Sequence, residues 1–201
     1  MLLGVPTMQC SELPIVGAFV IDHPAHRDER GTFARAFCQR ELADLGVDFT
    51  VRQANTSLSR AAGTVRGLHV QVPPHHEQKL IRCTRGALVD VIVDLRPESP
   101  SYLRTVQVQL VGGDGRAVLV PARCAHGFQT ISDDTEALYL VSQFHSAAAE
   151  RGLRWNDPAL GIHWPRPLSN ISAKDASWPL LAEQEAQLRA EFALHVGSPR
   201  S

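Results

Sequence analysis

The stretch 87-ALVDVIVDL-95, followed by 105-TVQVQLV-111, decides the fold. In the first segment Val89, Val91 and Val93 share one face, and Asp90 and Asp94 the other. In the second, Val106, Val108 and Leu110 stand opposite Gln107 and Gln109. Successive side chains of a strand point to opposite faces, so a period of two marks strands. The segment 112-GGDG-115 reads as a turn, and 116-RAVLVP-121 starts the next strand. Another strand is read in 136-EALYLVSQF-144, with Tyr139, Val141, Gln143 and then His145 on one side. From Arg52 to Phe144 the chain is a series of short strands punctuated by turn residues. That pattern predicts an all-β-dominated, antiparallel sandwich or barrel.

Two helical pieces flank this region. The first, 38-CQRELADLG-46, stops at Gly46, a suitable C-cap. The second, 179-PLLAEQEAQLRAEFALH-195, carries Leu181, Leu188 and Phe192 at helical spacing, with Pro179 suited to its first turn. The tail from Gly197 is expected to be disordered. We divide the chain into a barrel domain at 1–178, with 179–201 as a helix and tail packed on that same domain.

The 201 residues are enough for one domain with a sizeable core. The formal net charge of -1 gives no overall positive excess for nucleic acid or an anionic membrane, so neither is expected as a partner. The opening MLLGVPTMQC lacks a basic segment and is interrupted by Pro6; neither a signal peptide nor a membrane span is read. Cys10, Cys38, Cys83 and Cys124 show no CxxC spacing. They read as reduced, mostly buried thiols of a cytoplasmic protein, without a structural zinc.

The chemistry concentrates in 66-RGLHVQVPPHHEQKL-80. A metal site in a small β-barrel needs three or four converging ligands. His75 and His76 are adjacent, so on a strand at most one of them faces the same way as His69. The segment 120-VPARCAHGF-128 looks like the second half of a cupin metal motif, but a His-x-His first half is absent. No metal is expected, and His75 and His76 read as a solvated loop after Pro73-Pro74. An acid–base reading is more coherent. His69 in a barrel interior, beside Lys79 and Tyr139, offers a base with a pKa near the working pH, an ammonium for an enolate oxygen, and a proton donor. A hydrogen-bonded core histidine is the competing reading of His69. Lys79 is harder to explain structurally, because an unpaired buried charge is costly.

At this point a set of ordered segments resembles the dTDP-4-dehydrorhamnose 3,5-epimerase family: DERGTF, RQANTS, VRGLHVQ, QKLIRCTRGALVDVIVDLRPESPSY, AHGF, LYLVSQF, WNDPALGIHWP and SAKD. The resemblance implies a cupin-type jelly-roll barrel and a nucleotide-sugar substrate, a dTDP-4-keto-6-deoxyhexose, with no cofactor. By resemblance, His69 is the base and Asp175 of SAKD its carboxylate partner. Lys79 is the enolate-stabilising lysine, and Tyr139 the acid. His126 lines the sugar pocket, Arg66 and Lys174 look like diphosphate contacts, and Arg30, Phe33, Gln53 and Asn55 like nucleotide contacts. The resemblance further implies a homodimer in which the strand bearing Arg30 and Phe33 reaches the neighbour's site.

Three positions depart from the family's pattern. Phe144-His145 stand where a second pair of tyrosines is common, and His145 shares a face with Tyr139 by parity. Arg35 replaces a frequent glutamate. Arg123 replaces a usual glycine or glutamate. Besides the 3,5-epimerase, the readings in play are an epimerase acting on one carbon or on another nucleotide sugar, a non-catalytic sugar-nucleotide-binding cupin, and a metal-dependent dioxygenase or isomerase. The joint presence of His69, Lys79, Tyr139 and Asp175 argues against a mere binding module.

Overall fold

The computed structural model describes residues 7–193; the tail expected from Gly197 onward lies outside them. Two antiparallel sheets face each other. The first has six strands in the order β1 (Gln9–Glu12), β2 (Phe19–Asp22), β10 (Arg116–Val120), β7 (Lys79–Arg85), β12 (Thr135–Val141) and β5 (Gln53–Ser59). The second has five: β13 (Glu150–Gly152), β6 (Val65–Gln71), β11 (Cys124–Thr130), β8 (Ala87–Asp94) and β9 (Thr105–Val111). The chain crosses from one sheet to the other between β5, β6, β7 and β8, and again between β9, β10, β11 and β12. This crossing makes the cupin-type jelly roll that the family resemblance implies, one form of the antiparallel sandwich or barrel read from the strand pattern. A separate hairpin, β3 (Ala25–Asp28) and β4 (Gly31–Ala34), extends from the barrel.

The alternating pattern of β8 has a different meaning from a buried face and a solvated one. Leu88 and Ile92 join Ile81, Val118, Val108, Leu110 and Phe128 in the core between the sheets. Val91 and Val93 pack beneath Leu181, Leu188 and Phe192 of the C-terminal helix. Both faces are therefore covered, and Asp90 and Asp94 are each 0% exposed. Asp94 is satisfied by the Arg96 guanidinium at 2.8 Å and by the hydroxyls of Ser99 and Ser101. Burial alone would raise its carboxyl, but these donors hold it down at about 2. The edge strand β9 does alternate as read, with Val108 and Leu110 buried and Gln107 and Gln109 exposed.

The helices match the sequence pattern, with one displaced start. α1 spans Gln39–Asp44, and Gly46 follows at a φ of +80, its N–H donating to the Ala43 carbonyl. α2 is the single turn Ala173–Ala176, capped by the Ser172 hydroxyl, which accepts from the Asp175 N–H. α3 spans Leu181–Ala193, so Pro179 precedes the first turn rather than sitting in it. Its start is held by Asp157, whose carboxylate accepts from the Leu181 N–H at 2.5 Å. No disulfide forms: Cys83 and Cys124 are buried thiols, and Cys10 and Cys38 are partly exposed. Among the described residues no helix is long and apolar enough to cross a membrane.

Candidate active site

A cleft of about 770 Å³ opens between the sheets. Its walls come from β5, β6, β7, β11 and β12, and α2 closes one side. His69, Lys79, His126, Tyr139, Asp175, Gln53, Asn55, Arg66, His145 and Lys174 all line it.

His69 and His126 are register partners on β6 and β11, so their side chains share the inner face. Each imidazole meets a carboxylate. His69 Nε2 lies 2.7 Å from Asp175 Oδ1, and His126 Nε2 lies 2.7 Å from Asp90 Oδ2. An ionised carboxylate only accepts, so in the neutral rings Nε2 carries the hydrogen and Nδ1 keeps the lone pair. The Asp175 oxygen not used by His69 accepts from the Gly67 N–H at 3.1 Å. Burial alone would raise the Asp175 carboxyl, but the hydrogen bond and charge of His69, with the Gly67 N–H, hold it below the usual range. It stays ionised and fixes the ring of its partner.

Glycine makes this approach possible. Gly67 has a φ of +116, and a β-carbon there would sit 2.7 Å from Gly127 Cα and 2.8 Å from the His126 carbonyl oxygen. Only a glycine lets β6 run this close to β11 where the register shifts between His126 and Phe128. On the far side of His69, Trp178 packs edge-on with ring centroids 6.4 Å apart. The indole lies directly over Gly152, where any side chain would collide with it.

Tyr139 is contributed by β12 and opens onto the cleft, with its ring against Phe128 and His126 at centroid separations of 6.2 Å. Burial pushes its phenol well above the ordinary tyrosine value, with Ser57 and the Arg66 charge opposing. It therefore holds its proton across the working pH range, as a donor must. Lys79 starts β7 opposite Val141 and is paired with Glu77 at 3.3 Å. Lys174 reaches Glu150 at 2.6 Å and lies over the Trp178 ring. Arg66 donates to the Ser59 hydroxyl and the Leu58 carbonyl at the rim.

Two sequence expectations, for His145 and His76, need correction. β12 ends at Val141, so His145 is not on its face; it reaches the cleft from the segment beyond, where its N–H meets Gln53. Arg30 and Phe33, expected at a neighbour's site, do not line the cleft of their own chain: they sit on the outlying hairpin, with Arg30 paired to Asp28 and Phe33 71% exposed. Arg35 and Arg123 lie away from the cleft as well. Arg35 pairs with Glu41, while Arg123, at a φ of +64, pairs with Glu98 and donates to the Phe192 carbonyl at the end of α3. His76, read as solvated, is only partly exposed and differs from the exposed His75 of the same loop. Asp90, the buried partner of His126 behind the cleft wall, is a residue that the sequence reading left on a polar face. The signal was present: Leu88 and Ile92 share its face, which marks that face as core.

A jelly roll whose cleft pairs a carboxylate-held histidine with a protonated tyrosine and a lysine is the architecture of a proton-transfer isomerase. The family model for dTDP-4-dehydrorhamnose 3,5-epimerase matches residues 12–183. A protein of that name from Sinorhizobium fredii is 46% identical over 157 residues, 78% of this chain and 80% of its own length. A Legionella pneumophila epimerase solved in complex with dTDP-4-keto-L-rhamnose superposes with a TM-score of 0.85 at 32% identity, covering 90% of this chain and 96% of that one. A 3'-monoepimerase from Streptomyces bikiniensis solved with dTDP-quinovose has a TM-score of 0.80 at 31% identity, covering 90% and 98%. This chain belongs to the dTDP-4-dehydrorhamnose 3,5-epimerase family of nucleotide-sugar isomerases.

Proposed function

We propose that the chain inverts C3 and C5 of a dTDP-4-keto-6-deoxyhexose, with His69 as base and Tyr139 as acid. The observation that carries this reading is the His69–Asp175 pair facing one cleft together with Tyr139 and Lys79. The 4-keto group acidifies the C–H bonds beside it. His69 Nδ1 takes the proton, and the resulting imidazolium is stabilised by the ionised Asp175. The electron pair moves onto the 4-oxygen, where the Lys79 ammonium stabilises the enolate. Tyr139 returns a proton to carbon from the opposite face, and the carbon is inverted. The sequence repeats at the second carbon, after the two groups regain their starting protonation from solvent. The chemistry calls for neither a metal nor an organic cofactor, because the ketone itself is the electron sink. A reductase acting on the 4-keto group then yields the L-sugar.

Gln53, Asn55, Arg66 and Lys174 line the remaining cleft and suit the nucleotide and its diphosphate, while His126 faces the sugar. Arg30 and Phe33 serve the site of a second copy in a homodimer. Two features support this: the hairpin exposes Phe33 away from its own cleft, and Phe37, Val51, Leu138 and Leu140 leave an apolar hollow of about 270 Å³ on the outer face of the six-stranded sheet. The free thiols support a reducing, cytoplasmic setting. His145, at the cleft where a tyrosine is common in the family, motivates a second reading, inversion at one carbon only.

Incubation with dTDP-4-keto-6-deoxyglucose in heavy water, followed by NMR, tests both. Deuterium at C3 and C5 with inverted product supports the first reading. Label at one carbon supports the second. No exchange at either overturns both.

A further inference from the structure

Glu77 has no place in the steps just described, yet its side chain is only 11% exposed and it lines the reaction cleft. Asp175 is the only other carboxylate on the cleft wall among the described residues, and His69 accounts for it. A second carboxylate is out of place where a diphosphate must bind and an enolate must form, since it opposes both charges. Its geometry suggests a different task. Glu77 Oε1 stands 3.3 Å from the Lys79 ammonium, whose side chain is 12% exposed. The loop that carries it is pinned: the Gln78 N–H donates to the Ser142 hydroxyl, and the Ser142 N–H donates back to the Gln78 carbonyl. Glu77 is thereby tied to the end of β12, the strand that carries Tyr139.

We infer that Glu77 is the positioning residue of Lys79, holding its ammonium in place and aimed at the oxygen where negative charge develops. The inference rests on the epimerase reading and adds a role to that site. The need for such a partner follows from the other charges around Lys79. Across the cleft stand Arg66 and His69 of β6, His126 of β11, His145 beyond β12, and Lys174 of α2. The phenol of Tyr139 is neutral, Asp175 is taken up by His69 and Gly67, Asp90 by His126, and Glu150 by Lys174. Glu77 is the carboxylate left beside Lys79, and it restrains a flexible side chain whose ammonium must meet the enolate oxygen.

The test compares wild type with Glu77→Gln, which keeps the size and one acceptor of Glu77 and removes its charge. Rates of deuterium incorporation into dTDP-4-keto-6-deoxyglucose are measured from pH 6 to 10. At pH 8, kcat is expected to fall roughly tenfold with KM nearly unchanged, as for an interaction made only when charge develops. In a Lys79→Gln background the same Glu77→Gln change is expected to have almost no further effect. An unchanged kcat, or a Glu77→Gln effect of equal size with Lys79 already replaced, overturns the inference. Failure of wild type to exchange deuterium at all contradicts the epimerase reading instead, so the two outcomes are distinct.

Discussion

His69 Nε2 and Asp175 Oδ1 lie 2.7 Å apart although 106 residues separate them in the chain. β6 supplies the histidine, and a single helical turn capped by Ser172 supplies the carboxylate. The Gly67 N–H bonds the same carboxylate, so the base, its partner and the strand that bears the base form one unit.

Replacing His69 by Asn is expected to abolish solvent exchange at both carbons, a loss of at least 10² to 10⁴. Asp175→Asn is expected to slow exchange by roughly 10- to 100-fold while the protein remains folded, because an amide orients the ring but does not stabilise its protonated form. Deuterium incorporation by NMR, with circular dichroism as the control for folding, measures both. Near-normal exchange in His69→Asn shows that another group is the base.

Tyr139→Phe separates abstraction from inversion. The base can remove a proton and return solvent deuterium to the same face, so exchange should persist. Inverted product should fall, since the donor on the other face is gone. Mass spectrometry of the label and NMR of the product configuration read the two separately. An unchanged rate of epimerisation assigns the donor role to His145 or to water.

The chemistry assigned to these side chains contains no metal-dependent step. Prolonged treatment with a strong chelator is expected to leave the rate of epimerisation unchanged. A loss of activity that one added divalent ion restores contradicts the assignment.

If Arg30 and Phe33 serve the partner's cleft, two defective proteins complement each other. His69→Asn keeps the hairpin but lacks the base; Arg30→Ala with Phe33→Ala keeps the base but lacks the hairpin. Equal mixtures, refolded together, are expected to regain about a quarter of wild-type activity, from one competent site in each mixed dimer. Sedimentation gives the stoichiometry. A fully active monomer at micromolar concentration rules the arrangement out.

Stability should depend on Asp94 in acid. Its folded pKa, about 2, lies below its ordinary value of 3.8. The unfolded chain therefore binds the proton first as pH falls, so the stabilisation is complete above 3.8 and disappears as pH drops towards 2. A shift of this size corresponds to roughly 2 kcal/mol. His23 acts in the same direction at higher pH. Burial and the Arg82 charge lower its pKa from 6.5, so some stability is lost as pH falls below that value. Denaturant melts at pH 7, 5 and 3 should show both losses. Asp94→Asn should be destabilised at pH 7 by at least about 2 kcal/mol, because it leaves Arg96 without its ion-pair partner.

The sequence by itself determined the period-two strands, the helices around Leu42 and Leu188, and the Gly46 stop. Each depends on contacts between near neighbours or on the conformational preference of one residue. The order of short motifs was enough to indicate the family and, through it, His69, Lys79, Tyr139 and Asp175. Only the tertiary structure decided what those residues touch. Asp90 looks polar in 87-ALVDVIVDL-95, but both faces of β8 are covered, one by the opposite sheet and one by α3; the aspartate is therefore buried and must bond His126. Parity along β12 put His145 beside Tyr139, but the strand ends at Val141, and His145 lines the cleft through the fold of the following segment. Arg123 stands near AHGF in sequence, yet its left-handed backbone turns the side chain towards α3 and Glu98. Local pattern records the direction in which a side chain leaves its strand. The group that meets it there is set by which distant strands the jelly roll brings alongside.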